Sequence, residues 1–114
     1  MLETQLQQTC IKFSRKYLSN EIIVEGTPAQ AMRTQSGHQR MIAEGYIPGS
    51  SDLKIYSKIG KTVFVELKTD KGSQSPNQKE YQNLVESFGF KYFLVRSFDE
   101  FKKVLIEEFN CKIR

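Results

Sequence analysis

The sequence is poor in several residue types that mark common kinds of site. It has no tryptophan, one histidine, two cysteines and three prolines in 114 residues. Cys10 and Cys111 lie near opposite ends of the chain, a spacing that fits neither a disulfide framework nor a zinc site. Reduced thiols are therefore expected, although a bridge joining the two ends stays open. His38 is too isolated for a catalytic triad, and we expect it in a solvated loop.

Long apolar stretches are also missing from the sequence. No run approaches the roughly 18 residues that a membrane-spanning helix needs. The first ten residues, MLETQLQQTC, lack the apolar segment of a secretory signal. We therefore expect a cytoplasmic protein, in a bacterial or host cell, with no membrane partner. No nucleotide cofactor is expected either.

What the chain does contain fits one globular domain over residues 1–114. Apolar residues make up 39% of the sequence, and eight Phe and five Tyr supply the bulk of a core. Seventeen Lys and Arg against thirteen Asp and Glu give a net charge of +4. This balance mildly favours a polyanionic partner such as nucleic acid.

The alternation of apolar and polar residues predicts the element order α-β-β-β-α-β-α. The helices are expected at about 2–17, 75–88 and 97–109, and the strands at 21–25, 51–57, 61–68 and 92–95. Residues 29–49 fit no regular period, and a connection of that length is usually functional or mobile. The order predicts an α/β fold with a central mixed β-sheet flanked by helices.

The second and third strands carry a candidate site. A three-residue loop at 58–60, ending in glycine, is typical of a β-hairpin, and paired residues on its two strands then sum to 118. Asp52 would lie opposite Glu66. Because side chains alternate along a strand, Lys68 projects from the same face as Glu66. The spacing therefore predicts that Asp52, Glu66 and Lys68 share one face of the hairpin.

Two carboxylates placed opposite each other repel, and a divalent cation would offset that repulsion. Mg²⁺ is commonly held by one or two carboxylates together with water and substrate phosphate oxygens. The simpler alternative is a solvent-facing salt-bridge cluster on a catalytically silent DNA-binding module. The strand at 61–68 is mostly apolar, however, which predicts a central strand buried on both faces. Charged residues on such a strand are costly unless they serve a function.

An ordered set of motifs resembles the virus-type replication-repair nuclease (VRR-NUC) domain of the PD-(D/E)xK nuclease superfamily. The motifs are Gly49-Ser50-Ser51-Asp52, Glu66-Leu67-Lys68-Thr69, Gly72-Ser73-Gln74-Ser75-Pro76-Asn77-Gln78, Gly89 and Val95-Arg96-Ser97. The resemblance covers essentially the whole chain. It implies a restriction-endonuclease-like core and a Mg²⁺- or Mn²⁺-dependent endonuclease acting on DNA. Where the family pattern has proline before the aspartate, this chain has Ser51.

The resemblance also implies roles for individual residues. Asp52, Glu66 and the backbone carbonyl of Leu67 would bind the metal, Lys68 would be the catalytic lysine, and Gln78 and Glu3 would border the site as the helix glutamine and the acidic residue of the first helix. Two of these residues have structural alternatives. In the alternative for Gln78, its amide only completes a capping box with Ser75; in the alternative for Glu3, its charge only complements the dipole of the first helix.

The expected partner is DNA, contacted through basic residues that flank the proposed metal. The candidates are Arg33, Arg40, Lys54 and Lys71. Compact members of the family resemble homodimeric enzymes that cut branched DNA such as four-way (Holliday) junctions. The resemblance therefore implies a homodimer and a branched DNA substrate. Four apolar residues of the irregular segment either cover such a partner or pack on their own sheet: Met32, Met41, Ile42 and Ile47.

Overall fold

The computed structural model describes residues 2–18, 20–28 and 34–111. The elements are α1 (Glu3–Tyr17), β1 (Ile22–Gly26), α2 (Gln35–Ala43), β2 (Leu53–Ser57), β3 (Thr62–Leu67), α3 (Pro76–Ser87), β4 (Lys91–Val95) and α4 (Phe98–Phe109). Within these ranges, no helix is both long enough and apolar enough to cross a bilayer.

The four strands form one mixed sheet in the order β1-β2-β3-β4. The pairs β1–β2 and β2–β3 are antiparallel, whereas β3 and β4 run parallel. Strand β3 is therefore internal, and five of its six residues are buried. The predicted mixed sheet and its central third strand are both confirmed.

Helices cover both faces of the sheet. On one face, α1 and α4 bury Leu6, Cys10 and Phe101 against alternate residues of β2 and β3. On the other face, α3 packs Val85 and Tyr81 over Phe64 of β3 and Tyr92 of β4. The second cluster is much smaller than the first. The α3 face of the sheet therefore has room for polar groups beside its apolar contacts.

The hairpin adopts the predicted register. Paired residues of β2 and β3, from Leu53 with Val65 to Tyr56 with Thr62, sum to 118 throughout. The Ser57 N–H donates to the Lys61 carbonyl at 2.9 Å, which closes the loop. Gly60 has a φ of +85°, a left-handed conformation that glycine adopts without a steric penalty.

The predicted element order is wrong at one place, because residues 35–43 form the helix α2. The Thr34 side chain caps it by accepting a hydrogen bond from the Gly37 N–H at 3.0 Å. No residue of this fully described helix is buried, so it has no apolar stripe that a periodicity search would detect. His38 lies on this helix, 6.1 Å from the Tyr46 ring, and not in a loop.

Candidate active site

Glu66 is the buried acid at the centre of the α3 face. Its side chain is 1% exposed, although glutamate is almost never fully buried unless it is paired. The Oε1 atom accepts hydrogen bonds from the Tyr92 hydroxyl at 2.5 Å and from Gln74 Nε2 at 3.1 Å. The Oε2 atom is buried and accepts no hydrogen bond from the described residues. One oxygen of this carboxylate is therefore fixed and the other is unsatisfied.

Lys68 supplies the nearest positive charge. Its Nζ lies 3.9 Å from Glu66 Oε2, and its side chain is only 11% exposed. The aliphatic part of the lysine runs close to Gly72, where an added Cβ would approach Lys68 Cδ to 3.2 Å. Arg96 holds this loop by donating from its guanidinium to the carbonyls of Thr69 and Gly72 at 2.7 and 2.8 Å. The lysine is therefore confined between β3 and the loop that follows it.

Asp52 lies just before β2, beyond the last residue pair of the β2–β3 ladder. Its Oδ2 accepts a hydrogen bond from the Leu67 N–H at 2.7 Å. The expectation of a direct Asp52–Glu66 ladder pair is therefore corrected. The strand pairing ends at Leu53, and the Asp52 carboxylate itself binds the backbone at the end of β3.

The charges around Asp52 show which groups share its surroundings. Burial raises the pKa of Asp52 to about 6, the Leu67 N–H opposes this shift, and the negative charges of Glu66 and Glu3 add to it. The positive charge of Lys68 lowers the same pKa. The charges of Glu66, Lys68 and Glu3 therefore all act on the Asp52 carboxyl, although Glu3 is the exposed first residue of α1.

Gln78 occupies the third position of α3, where the structure gives it the capping role. Its Oε1 accepts a hydrogen bond from the Ser75 N–H at 2.8 Å, and its own N–H donates to Ser75 Oγ at 3.2 Å. The loop before Asp52 lies against this first turn. An added Cβ on Gly49 would lie 2.5 Å from the Asn77 carbonyl, so only glycine permits this approach.

The basic residues expected to contact DNA are spread over several elements. Lys54 lies on β2, where it pairs with Phe64 and has the same side-chain parity as Asp52. Arg40 is exposed on α2, and Lys71 is exposed in the loop after β3. Arg33 lies outside the described residues, as does Met32. Ile42 and Ile47 are exposed, whereas Met41 is half-buried.

The donor set can be tested against the implied divalent cation. No group of three or more His, Cys, Asp or Glu gathers to hold a metal in the part of the chain that the structure describes. Two carboxylates are nevertheless enough for Mg²⁺, which keeps several waters and binds substrate oxygens. The unsatisfied, buried Oε2 of Glu66 is the kind of atom that a cation would satisfy. The two carboxylates of Asp52 and Glu66, with the carbonyl of Leu67 next to Glu66 in sequence, are therefore a donor set of the kind that Mg²⁺ takes.

Three residues that contact the site were missed by the sequence reasoning. Tyr92 and Gln74 bind the Glu66 carboxylate, and Gln82 accepts a hydrogen bond from Gln74 Nε2 at 2.8 Å. A tyrosine on a strand predicted to be buried was the available signal, because a buried hydroxyl usually finds a partner. The partner itself depends on the parallel β3–β4 register, which no local pattern in the sequence specifies.

Comparison with known proteins agrees with this architecture. A solved structure described as a "VRR_NUC domain protein" aligns with 94% of this chain and 87% of its own, at 18% identity and a TM-score of 0.69. The fold is that of a VRR-NUC domain. No protein-family profile matches the sequence, and no curated protein matches it significantly. The VRR-NUC fold is thus detected through backbone geometry, which confirms the predicted fold class.

Proposed function

We propose that residues 1–114 form a single nuclease domain that hydrolyses phosphodiester bonds in cytoplasmic DNA with the help of Mg²⁺ or Mn²⁺. One observation carries the proposal. A buried glutamate oxygen, Glu66 Oε2, lacks a hydrogen bond from the described residues and lies beside Lys68, and the charges of both residues act on Asp52. A buried carboxylate is costly without a compensating charge, and the carboxylate of Glu66 adds no apolar contact to the core. The VRR-NUC fold supports the same conclusion.

Asp52, Glu66 and the Leu67 carbonyl are the proposed metal ligands. A bound divalent cation would supply Lewis-acid polarisation of the scissile phosphate and charge neutralisation. Lys68 orients the attacking water and stabilises the negative charge that develops on the phosphate. Its confinement under the loop held by Arg96 favours this role, since a positioned ammonium loses little freedom on reaching the transition state.

Glu3 and Gln78 are proposed to act at the border of the site. The charge of Glu3 raises the pKa of Asp52, so the two carboxylates are electrostatically coupled. The Gln78 amide oxygen is engaged by the Ser75 N–H. Gln78 therefore stabilises the first turn of α3. Any contact with DNA comes from its amide nitrogen or from the backbone N–H groups at the helix N-terminus.

The proposed substrate is branched DNA such as a four-way junction, bound by a homodimer. Specific protein–DNA interfaces usually bury roughly 1,000–2,500 Å² of protein surface, which would occupy much of one face of a chain of 114 residues. A two-fold dimer doubles that surface and presents two sites to a symmetric junction. Ile42 and Ile47 are exposed and available for such an interface. Arg33, Arg40, Lys54 and Lys71 are the proposed phosphate contacts.

The test compares linear, flapped, splayed and four-way DNA substrates, each with Mg²⁺, with Mn²⁺ and with EDTA. We expect metal-dependent cleavage that is fastest on the four-way junction, and light scattering that shows twice the monomer mass of 13.2 kDa. Equal rates on the junction and on a duplex of matched length would contradict the substrate preference, and a monomer would contradict the dimer. DNA binding without cleavage of any substrate would favour a catalytically silent binding module instead.

A further inference from the structure

The Glu66 carboxylate is held from two other parts of the fold. Tyr92, on β4, donates to Oε1 through its hydroxyl at 2.5 Å. Gln74, in the loop before α3, donates to the same oxygen through Nε2 at 3.1 Å. The same Gln74 nitrogen donates to Gln82 Oε1 on α3 at 2.8 Å. Two segments of the chain thus donate to one oxygen of the carboxylate, and a third segment, α3, contacts one of the two donors.

This arrangement divides the two oxygens of Glu66 between different tasks. The Tyr92 hydroxyl has a single proton, and it donates that proton to Oε1. With two donors on Oε1, rotation of the carboxylate would break both hydrogen bonds. The Oε2 atom remains on the side of Lys68 with no donor from any residue that the structure describes. The carboxylate is therefore fixed before any ligand arrives.

We propose that Tyr92 and Gln74 are positioning residues that hold Glu66 in the orientation in which Oε2 can bind the divalent cation, with Gln82 holding Gln74. This inference rests on the proposed function of the site. Hydrogen bonds to a metal-binding carboxylate fix its direction, and losing such a partner typically weakens metal binding by about 10- to 100-fold. Neither residue touches the substrate in this account, so neither is a catalytic residue.

A purely structural role for the same hydrogen bonds predicts a different result. If they only tie β4, α3 and the loop together, their loss lowers the melting temperature and leaves the affinity for the metal unchanged. A positioning role predicts weaker metal binding in a protein that is still folded. Gln74 lies in a loop and is only half-buried, so it can be changed with little disturbance of the core.

The experiment titrates Mn²⁺ into the metal-free protein by calorimetry. The variants are Tyr92→Phe, which removes only the hydroxyl, and Gln74→Met, which keeps the length of the side chain without its donor. Tyr56→Phe is the matched control, because Tyr56 also donates to a glutamate, Glu25, at 3.2 Å on an exposed part of the sheet. Circular dichroism shows whether each variant is folded.

We expect Tyr92→Phe and Gln74→Met each to weaken Mn²⁺ binding by about 10-fold or more, while Tyr56→Phe binds like the wild type. In cleavage assays, the Mn²⁺ concentration for half-maximal rate should rise, and the rate at saturating Mn²⁺ should stay within a few-fold of wild type. Wild-type Mn²⁺ affinity in both folded variants would overturn the positioning role and leave the proposed function standing. A wild-type protein that binds no Mn²⁺ would overturn both.

Discussion

Lys68 Nζ lies 3.9 Å from Glu66 Oε2, the oxygen that has no hydrogen bond from the described residues. The ion pair is at the outer limit of direct contact, so the lysine only partly compensates the buried charge. Both side chains project from the α3 face at the end of β3, two residues apart. The pair therefore combines an incompletely neutralised carboxylate with an ammonium that is confined beside it.

Replacing Glu66 by glutamine separates the effect of this charge on stability from its role in binding the metal. Glutamine retains an oxygen that can accept from Tyr92 and Gln74 and removes the charge that acts on Asp52. In EDTA, we expect Glu66→Gln to raise the free energy of unfolding by about 1 kcal/mol and to raise the melting temperature accordingly. The further increase that Mn²⁺ produces should be smaller than in the wild type. Differential scanning calorimetry with and without Mn²⁺ measures both effects.

Glu108→Gln is the matched control for that experiment. Glu108 is also largely buried, but it pairs with Lys61 and Lys91 at 3.2 and 3.0 Å. Removing its charge should lower the melting temperature and leave the effect of Mn²⁺ unchanged. A Glu66→Gln variant that is stabilised by Mn²⁺ as strongly as the wild type would show that Glu66 is not a ligand.

Stability should depend on pH through Asp52. The raised pKa of about 6, against 3.8 for the unfolded chain, means that the folded state retains the proton more strongly. Stability from this group is therefore present below about pH 4 and is lost as the pH rises through 6. In EDTA, Asp52→Asn should be more stable than the wild type by roughly 2–3 kcal/mol at pH 8 and by much less at pH 4. Urea unfolding at both pH values measures the difference, and an equal difference at both would contradict the assignment.

The close approach of Gly49 to α3 predicts a large effect of a single methyl group. Gly49 has a φ of +86°, and an added Cβ would lie 2.5 Å from backbone atoms of Asn77. Gly49→Ala should therefore cost roughly 3–5 kcal/mol, from the clash together with the left-handed backbone. Gly60 has nearly the same φ, but apart from its two chain neighbours no described residue lies within 4 Å of its added Cβ. Gly60→Ala should cost only about 1–2 kcal/mol, and equal losses in chemical denaturation would contradict the clash.

Local sequence patterns predicted much of this structure because the governing interactions are local. The loop at 58–60 determines the hairpin register, so the alignment of β3, which carries Glu66 and leads into Lys68, with β2 could be predicted from the loop length. Ser75 and Gln78 form the expected capping box. Helix α2 was missed because its nine residues bury nothing, and helix formation there leaves no apolar pattern to detect.

The residues around Glu66 could not be predicted in the same way. Tyr92 reaches Glu66 only because β3 and β4 pair in parallel, with Phe64 opposite Tyr92. Parallel pairing depends on a crossover through α3, which sets no register by itself. Asp52 was expected to pair with Glu66 across the ladder, but the strand pairing ends one residue earlier and the Asp52 carboxylate accepts a hydrogen bond from the Leu67 N–H instead. Contacts between distant segments therefore account for the gaps.

The most direct test of the central claim is single-turnover cleavage of a labelled four-way junction by Lys68→Met at saturating Mg²⁺. Methionine keeps the aliphatic stem that packs beside Gly72 and removes only the ammonium. Lys103→Met is the control, because Lys103 is an exposed lysine on α4, across the sheet from the site. The account predicts a rate reduced by about 10²- to 10³-fold in a Lys68→Met variant that is folded and binds DNA with near wild-type affinity, and no change in Lys103→Met. A wild-type cleavage rate in Lys68→Met would contradict the account.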